Sequence, residues 1–372
     1  MKYSKLAIGV LASLTVSSVV AKEVTVNGFA SVGVSRANNE SGYAGATDAA
    51  EFESESKLGI QGTFRPNDNV EAMVQLVASA QDNDGEMNNE SWEPEVTWAY
   101  LGYEFDNGAK VRGGKLRLPL FMLSDYLDVT YAMPWVRGPE EVYGKVIINS
   151  FTGVDASYDI ELDESNITLQ GFYGNNKDIV ANGTDVDKLL GGSISWTDDI
   201  LTLRAGYTQG SIETPAYSYN HPQFGLINVD QSSDKASFGS LGLRYENHGY
   251  QLLTEITKTD IDGVFSNNMA GYVSFGYQFG DVTPYLMYAK AKTTDNDEHS
   301  PQVGSYSQAS APMNRDAYSA GVRWDIQPGL ALKGDVTYAE NNLTEADRAA
   351  SPLEFNGEED TFVYTIKVDA TF

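Results

Sequence analysis

The sequence predicts a closed antiparallel β-barrel of about sixteen strands that crosses a membrane, and three observations predict it. Period-2 alternation recurs along most of the chain, connections are alternately short and long, and one phase of the strands carries almost no charge. The last strand shows the pattern most clearly. Phe362, Tyr364, Ile366, Val368, Ala370 and Phe372 share one face, while Thr361, Thr365, Lys367, Asp369 and Thr371 share the other, as in a strand with one apolar and one wet side. A soluble sandwich would set that apolar face against a second sheet, whereas a membrane barrel turns it towards lipid.

Composition narrows the choice. A chain of 372 residues fits two soluble domains or one large barrel. The mean hydropathy of -0.32 excludes a helical membrane protein, and no run of about 18 apolar residues occurs beyond the N-terminus. That N-terminus places Lys2 and Lys5 before an apolar core from Leu6 to Val20 and ends on Val19 and Ala21. It reads as a signal peptide over residues 1–21, cleaved after Ala21, with the barrel occupying residues 22–372. The net charge of -27 argues against nucleic acid as a partner. Cysteine is absent, so an exported chain of this kind must be held by its backbone ladders, which a closed barrel supplies without leaving an edge.

The elements follow in order from Lys22. Short connections carry turn chemistry at Arg65-Pro66-Asn67-Asp68, Asp106-Asn107-Gly108, Asp163-Glu164-Ser165-Asn166, Asp198-Asp199, Asn247-His248-Gly249, Gly280-Asp281 and Gln327-Pro328-Gly329. Between them lie long polar connections at roughly 37–52, 82–92, 118–149, 175–188, 210–235, 259–268, 292–315 and 341–359. Seven short and eight long connections imply about sixteen strands with both termini on the short-turn side. The apolar phase holds residues such as Leu58, Ile60, Val74, Val154, Tyr173, Ile194, Tyr207, Leu241, Ile256, Phe275, Val322 and Tyr338, with Lys258 at a loop end as the exception. The opposite phase holds Glu71, Asp155, Asp159, Arg204, Arg244, Glu255, Arg323, Asp325, Lys333, Asp335, Lys367 and Asp369, too many charges for a dry core. Phase is ambiguous in two strands, 96–105 and 283–292. The closing strand is expected to pair with Val24 to Val34.

Four short stretches, in order, resemble the Gram-negative general porin family along the length of the mature chain. Ser56-Lys57-Leu58-Gly59-Ile60-Gln61-Gly62 is similar to the family's second strand and Ala99-Tyr100-Leu101-Gly102-Tyr103 to its fourth. Gly114-Lys115 is similar to the glycine-arginine pair of the fifth, and Phe372 to the terminal aromatic. The resemblance implies a trimeric, water-filled channel for small hydrophilic solutes and ions, surrounded by outer-membrane lipid and lipopolysaccharide. It further implies that assembly machinery reads Phe372, and that the third loop folds into the barrel.

That loop, about 118–149, carries Phe121, Met122, Leu123, Tyr126, Leu127, Tyr131, Met133 and Trp135, a content ill suited to water. It is expected to pack on the inner wall and to present Asp125, Asp128, Glu140 and Glu141 to the pore. Pro139-Glu140 matches the family's acidic constriction pair, and the following Glu141-Val142-Tyr143-Gly144 departs from it. Lys115 and Arg117 are expected opposite, either setting a transverse field with the loop acids or anchoring the loop by ion pairs. Arg204, Arg244, Arg323, Lys333 and Lys367 are further lumen-facing charges. The acid-rich lumen predicts a mild cation preference.

Enzyme signals are weak. His221, His248 and His299 are far apart and fall outside the expected strands, so neither a catalytic dyad nor a metal site is expected. Asp82-Asn83-Asp84-Gly85 and Asp260-Ile261-Asp262-Gly263 hint at calcium without completing a binding loop. No cofactor is expected. A substrate-selective channel and a non-conducting adhesin or structural barrel are the alternatives within this fold.

Overall fold

A computed structural model describes residues 23–40, 42–80, 91–144, 148–180, 184–221, 225–263, 265–295, 312–350 and 360–372. The expected signal peptide, His299 and the Asp82-Asn83-Asp84-Gly85 stretch lie outside the described residues. Eighteen strands are numbered here in chain order, from β1 (Glu23–Ala37) to β18 (Asp360–Thr371). Sixteen of them close into one antiparallel barrel, each strand pairing with its sequence neighbour and β18 returning to β1. The remaining two, β10 (Tyr217–His221) and β11 (Gly225–Val229), form a separate hairpin between β9 (Leu201–Thr214) and β12 (Ser232–Asn247). His221, expected in a loop, therefore ends a strand of that hairpin.

The outward phase is the one read from the sequence. Leu58, Val74, Tyr173, Ile194, Tyr207, Leu241, Val322 and Ile366 are all exposed on the outside of the wall. Tyr288, Tyr318, Tyr338 and Phe362 stand side by side on β15 (Val282–Asp295), β16 (Asn314–Gln327), β17 (Leu330–Asn341) and β18, with ring centroids 5.1, 6.3 and 4.7 Å apart. A second set, Tyr250, Tyr277 and Phe279, meets edge-on at the short-turn ends of β13 (Tyr250–Ile261) and β14 (Asn267–Tyr277), 4.7 and 4.5 Å apart. Rings at both ends of the strands fit the two polar boundaries of a bilayer.

Both ambiguous strands resolve. A register shift opposite Gln75 absorbs one residue of β4 (Glu95–Glu104), so Trp98 and Tyr100 both turn inward while Leu101 and Tyr103 stay outside. In β15 the odd residues Tyr285, Met287, Ala289 and Ala291 are buried inside and Leu286 is outside.

Two expectations are corrected. Residues 175–188 are mostly ladder: β7 runs Asn166–Val180 and β8 runs Thr184–Thr197. There Lys177 reaches Asp185 at 2.8 Å and Asp187 at 2.7 Å across the pair; in water a strand needs no apolar phase, so hydropathy periodicity cannot see it. The closing strand pairs with Phe29–Ala37 rather than Val24–Val34, because strand stagger in a closed barrel displaces the seam. Val24 and Val26 pair only with β2 (Lys57–Arg65).

At the seam the Gly28 and Phe372 main chains exchange two hydrogen bonds, 2.7 and 2.9 Å. The Phe372 ring lies over Gly28, where a Cβ would come within 2.4 Å of it. Gly28→Val is expected to push the ring off the wall and cost about 1–3 kcal/mol, seen as a lower urea midpoint of the detergent-folded barrel with unchanged conductance.

Candidate functional site

The third loop begins where β5 (Lys110–Arg117) runs into Leu118 and Pro119. Proline cannot donate to a ladder, and the chain turns into the barrel. Gly114 prepares the departure with φ of 140°, its Cα so close to β4 that a Cβ would meet the Ala99 carbonyl at 2.2 Å. The loop then crosses the inner wall. The Pro119 carbonyl accepts from Arg204 at 2.8 Å, and the Leu120 carbonyl from Ser240 at 2.6 Å. The Met122 N–H donates to Glu255 at 2.8 Å, and the Phe121 ring sits edge-on to Phe238 and Tyr143. Trp135 donates its indole N–H to Ser274 at 2.7 Å and packs against Tyr272. A single helical turn, α1 (Glu140–Tyr143), follows, and the Tyr143 hydroxyl meets Glu255 at 3.1 Å. Phe121, Leu123, Met133 and Trp135 of the loop are thus buried, and the loop lies on the wall formed by β9 and β12 to β18.

Between Thr130 and Val136 the loop has little regular structure, and Pro134 offers no N–H. Its carbonyls would be orphaned inside the barrel. A row of cations takes them. Arg323, Lys333 and Lys367 are direct cross-strand partners on β16, β17 and β18. Arg323 donates to the Tyr131 and Met133 carbonyls, the latter at 2.9 Å. Lys333 donates to those of Thr130, Met133 and Trp135 at 2.7, 2.8 and 3.0 Å. Lys367 donates to that of Val136 at 2.8 Å. Like charges directly opposite in a sheet repel, and carboxylates offset them: Asp325 lies 2.7 Å from Arg323, Asp369 2.8 Å from Lys333 and Glu55 3.0 Å from Lys367. Thr130 and Ser31 both donate to Asp369, at 2.7 and 2.6 Å.

The first long loop also folds inward, an arrangement the sequence reading missed. Tyr43, Ala46 and Glu55 are buried. The Tyr43 hydroxyl donates to Glu141 at 2.8 Å, and Arg137 of the third loop donates to Glu55 at 2.7 Å. Burial, with Glu141 beside it, pushes the Tyr43 hydroxyl well above its ordinary value. Burial also works to raise the Glu55 carboxyl, but Arg137 and Lys367 outweigh it and hold it low.

The residues singled out in the sequence divide. Asp125 lies exposed on a 3₁₀ turn, Ser124–Tyr126. Asp128 is ion-paired to Arg117, which is buried. Glu140 is half-buried at the start of α1. Glu141 is corrected: it is 0% exposed, held by Tyr43 and with Arg315 3.4 Å away, so its charge does not reach the lumen. Lys115 is half-buried and pairs with Ala99 and Thr152 in the ladder. Arg244 pairs with Glu246 at 2.8 Å near the short-turn end.

On the opposite wall, β2 to β7, the polar side chains bond to one another. Gln75 bridges Gln61 and Thr97, Tyr100 donates to Glu71, and Arg112 and Gln170 donate to Asp155 at 2.9 and 3.0 Å. Arg112 stacks over Trp98 and Tyr100.

A closed wall with apolar rings outside, a charged lumen and a loop fastened within it defines a membrane-spanning channel barrel. The chain belongs to the Gram-negative porin family, whose model matches residues 7–369, and the outer membrane is its place. Among solved structures it is similar to OmpT, an outer-membrane protein of Vibrio cholerae, with TM-score 0.62 and 13% identity over 94% of this chain and 97% of that one. It is also similar to the anion-selective porin from Comamonas acidovorans, TM-score 0.60 and 15% identity over 94% and 99%. OmpF of Salmonella typhi, in complex with daunomycin, has TM-score 0.62 and 15% identity over 96% and 99%. At these identities the likeness is one of fold. No curated protein matches the chain by sequence.

Lys333→Met is expected to strand Asp369 and three loop carbonyls, costing about 3–5 kcal/mol and exposing the Arg137-Gly138 bond to trypsin in the folded barrel. Glu55 has a second signature. Its folded carboxyl is depressed, so its contribution is complete above the ordinary value of about 4.3 and disappears as pH falls through the lower folded value. Glu55→Gln is expected to flatten that acid limb in thermal unfolding measured between pH 6 and pH 2.

Proposed function

We propose that the protein is a passive pore through which small hydrophilic solutes and ions diffuse across the outer membrane, with no enzymatic role. The observation that carries this is the division of the lumen: the third loop is fastened to β9 and β12 to β18, while the polar wall of β2 to β7 bonds within itself. Solute passes between them. The constriction is lined by Asp125 with Asp128 and Glu140 beside it.

The pore is mildly cation-preferring. Arg117, Arg137, Lys333 and Lys367 are engaged by carboxylates or loop carbonyls, which leaves their charge little reach into the passage, whereas Asp125 is exposed. The field imagined between loop acids and wall bases is in this reading weak, because the bases serve as anchors. The chain is exported by its signal peptide and inserted by assembly machinery that reads Phe372. It works as a homotrimer among lipid and lipopolysaccharide, a reading supported by the trimer form of the Vibrio cholerae OmpT structure.

A second reading, a channel selective for a sugar, is favoured by the inward Trp98 and the stacked Arg112 on the free wall; planar polar groups beside an aromatic face suit such a ligand.

Planar bilayer recording tests both. The expected result is closure in three equal steps, a reversal potential of cation sign in a salt gradient, and conductance that rises without saturation. Asp125→Asn should reduce the cation preference about twofold, the scale of one surface charge at a few tenths of a kcal/mol. A reversal potential of anion sign overturns the preference, and saturable block by oligosaccharides selects the second reading.

A further inference from the structure

Where the third loop enters the lumen, one of its methionines covers a bare place on the inner wall. Arg204 of β9 pairs with Gly242 of β12, and Gly242 with Glu255 of β13, so one inward row reads cation, glycine, carboxylate. Met122 lies on the glycine: a Cβ added there would come within 2.9 Å of its Cε and 3.3 Å of its Sδ. Its N–H is held by Glu255 at 2.8 Å. The thioether therefore rests on this row between the guanidinium and the carboxylate.

Two features single this side chain out. Among the described residues, Met73, Met133, Met287 and Met313 are buried and Met269 is exposed on the outward phase. Met122 is half-buried, and inside a closed wall its open part faces the lumen, so it is the methionine that a water-borne solute meets. The second feature is Arg204. Its Nη2 donates to the Pro119 carbonyl at 2.8 Å, while its Nη1 is buried with no hydrogen-bond partner among the described residues. A buried charged donor without an acceptor is costly, and a thioether is only a weak acceptor. Glu255 has both oxygens engaged, one by the Met122 N–H and one by the Tyr143 hydroxyl.

We propose that Met122 is a site of oxidative modification: a small two-electron oxidant, hypochlorous acid, enters the lumen and converts it to the sulfoxide, whose oxygen accepts from Nη1 of Arg204. The sulfur lone pair attacks chlorine and hydroxide leaves. Water then adds to the sulfur and keeps its oxygen there, while chloride and two protons depart, one of them neutralising the hydroxide. Sulfur is oxidised by two electrons and chlorine is reduced to chloride. A strong acceptor thus replaces a weak one, and the modification adds an anchor between the loop and β9 beside those at Pro119 and Leu120. The reductases that restore methionine are proteins, too large for the lumen, so the anchor lasts as long as the fold. The inference rests on the lumen admitting small solutes.

The full barrel, refolded in detergent, is given a brief pulse of hypochlorous acid, and sulfoxide is located by fragmentation of its peptides. Met122 is expected to oxidise about tenfold faster than Met73, Met133, Met287 and Met313. The oxidised wild type is expected to keep or raise its urea midpoint, where a sulfoxide without a donor would lower it. Oxidised Arg204→Leu should lose about tenfold in its folding equilibrium against its own unoxidised form, the fold-change of one hydrogen bond to a charged group. Met122→Gln carries the same test with the wall untouched: its amide carbonyl stands in for the sulfoxide oxygen, and its midpoint is expected at or above that of Met122→Leu. A Met122→Gln midpoint below that of Met122→Leu overturns the proposal, as does an equal fall on oxidation in wild type and Arg204→Leu. A barrel that conducts in a bilayer but oxidises Met122 no faster than Met133 overturns this inference and leaves the pore standing; a barrel that does neither overturns both.

Discussion

The constraint on which the interior depends is the demand of loop carbonyls for donors. A barrel wall satisfies its own backbone, but a segment laid irregularly across the lumen brings carbonyls that no ladder reaches. Arg323, Lys333 and Lys367 supply the donors from one register row, each hydrogen bond to a charged group being worth about 1.5–3 kcal/mol. The row would repel itself if bare. Asp325, Asp369 and Glu55 make it tolerable, and Glu55 brings the first loop into the same network. Wall, third loop and first loop are therefore one electrostatic assembly rather than a pore with attachments.

Geometry at the two ends of the loop serves that assembly. Pro119 and the close approach of Gly114 to β4 release the chain from β5 at the right place, and the helical turn after Pro139 returns it towards the wall through Tyr143. In between, Phe121 and Trp135 fix the path by ring contacts with Phe238 and Tyr272. The apolar contacts set where the loop lies, and the cations set that it stays.

Much of this was legible in the sequence, for identifiable reasons. Lipid enforces a strict outward phase, so Leu241, Val322 and Ile366 announced their strands, and so did the aromatic rings at the strand ends. The inward fold of the third loop was legible because Trp135 and Phe121 have no place in water. What was not legible depended on pairing at long range. The inward Tyr43 belongs to a polar loop with no periodicity, and its value lies in reaching Glu141, 98 positions away. Glu141 and Glu140 are adjacent in sequence and differ only by the turn of α1, which sends one into the protein and leaves the other at its margin.

Because the third loop's carbonyls occupy the donors of Arg323, Lys333 and Lys367, the path of the loop and the hydrogen bonding of the wall are not separate properties of this barrel. A change that lifted the loop would strip those donors of their carbonyl partners, while Asp325 and Asp369, both on the wall, would go on balancing the charge beside them. A substitution that relocates the loop therefore has to be matched by one in that row, and the two sets of residues are bound to drift together.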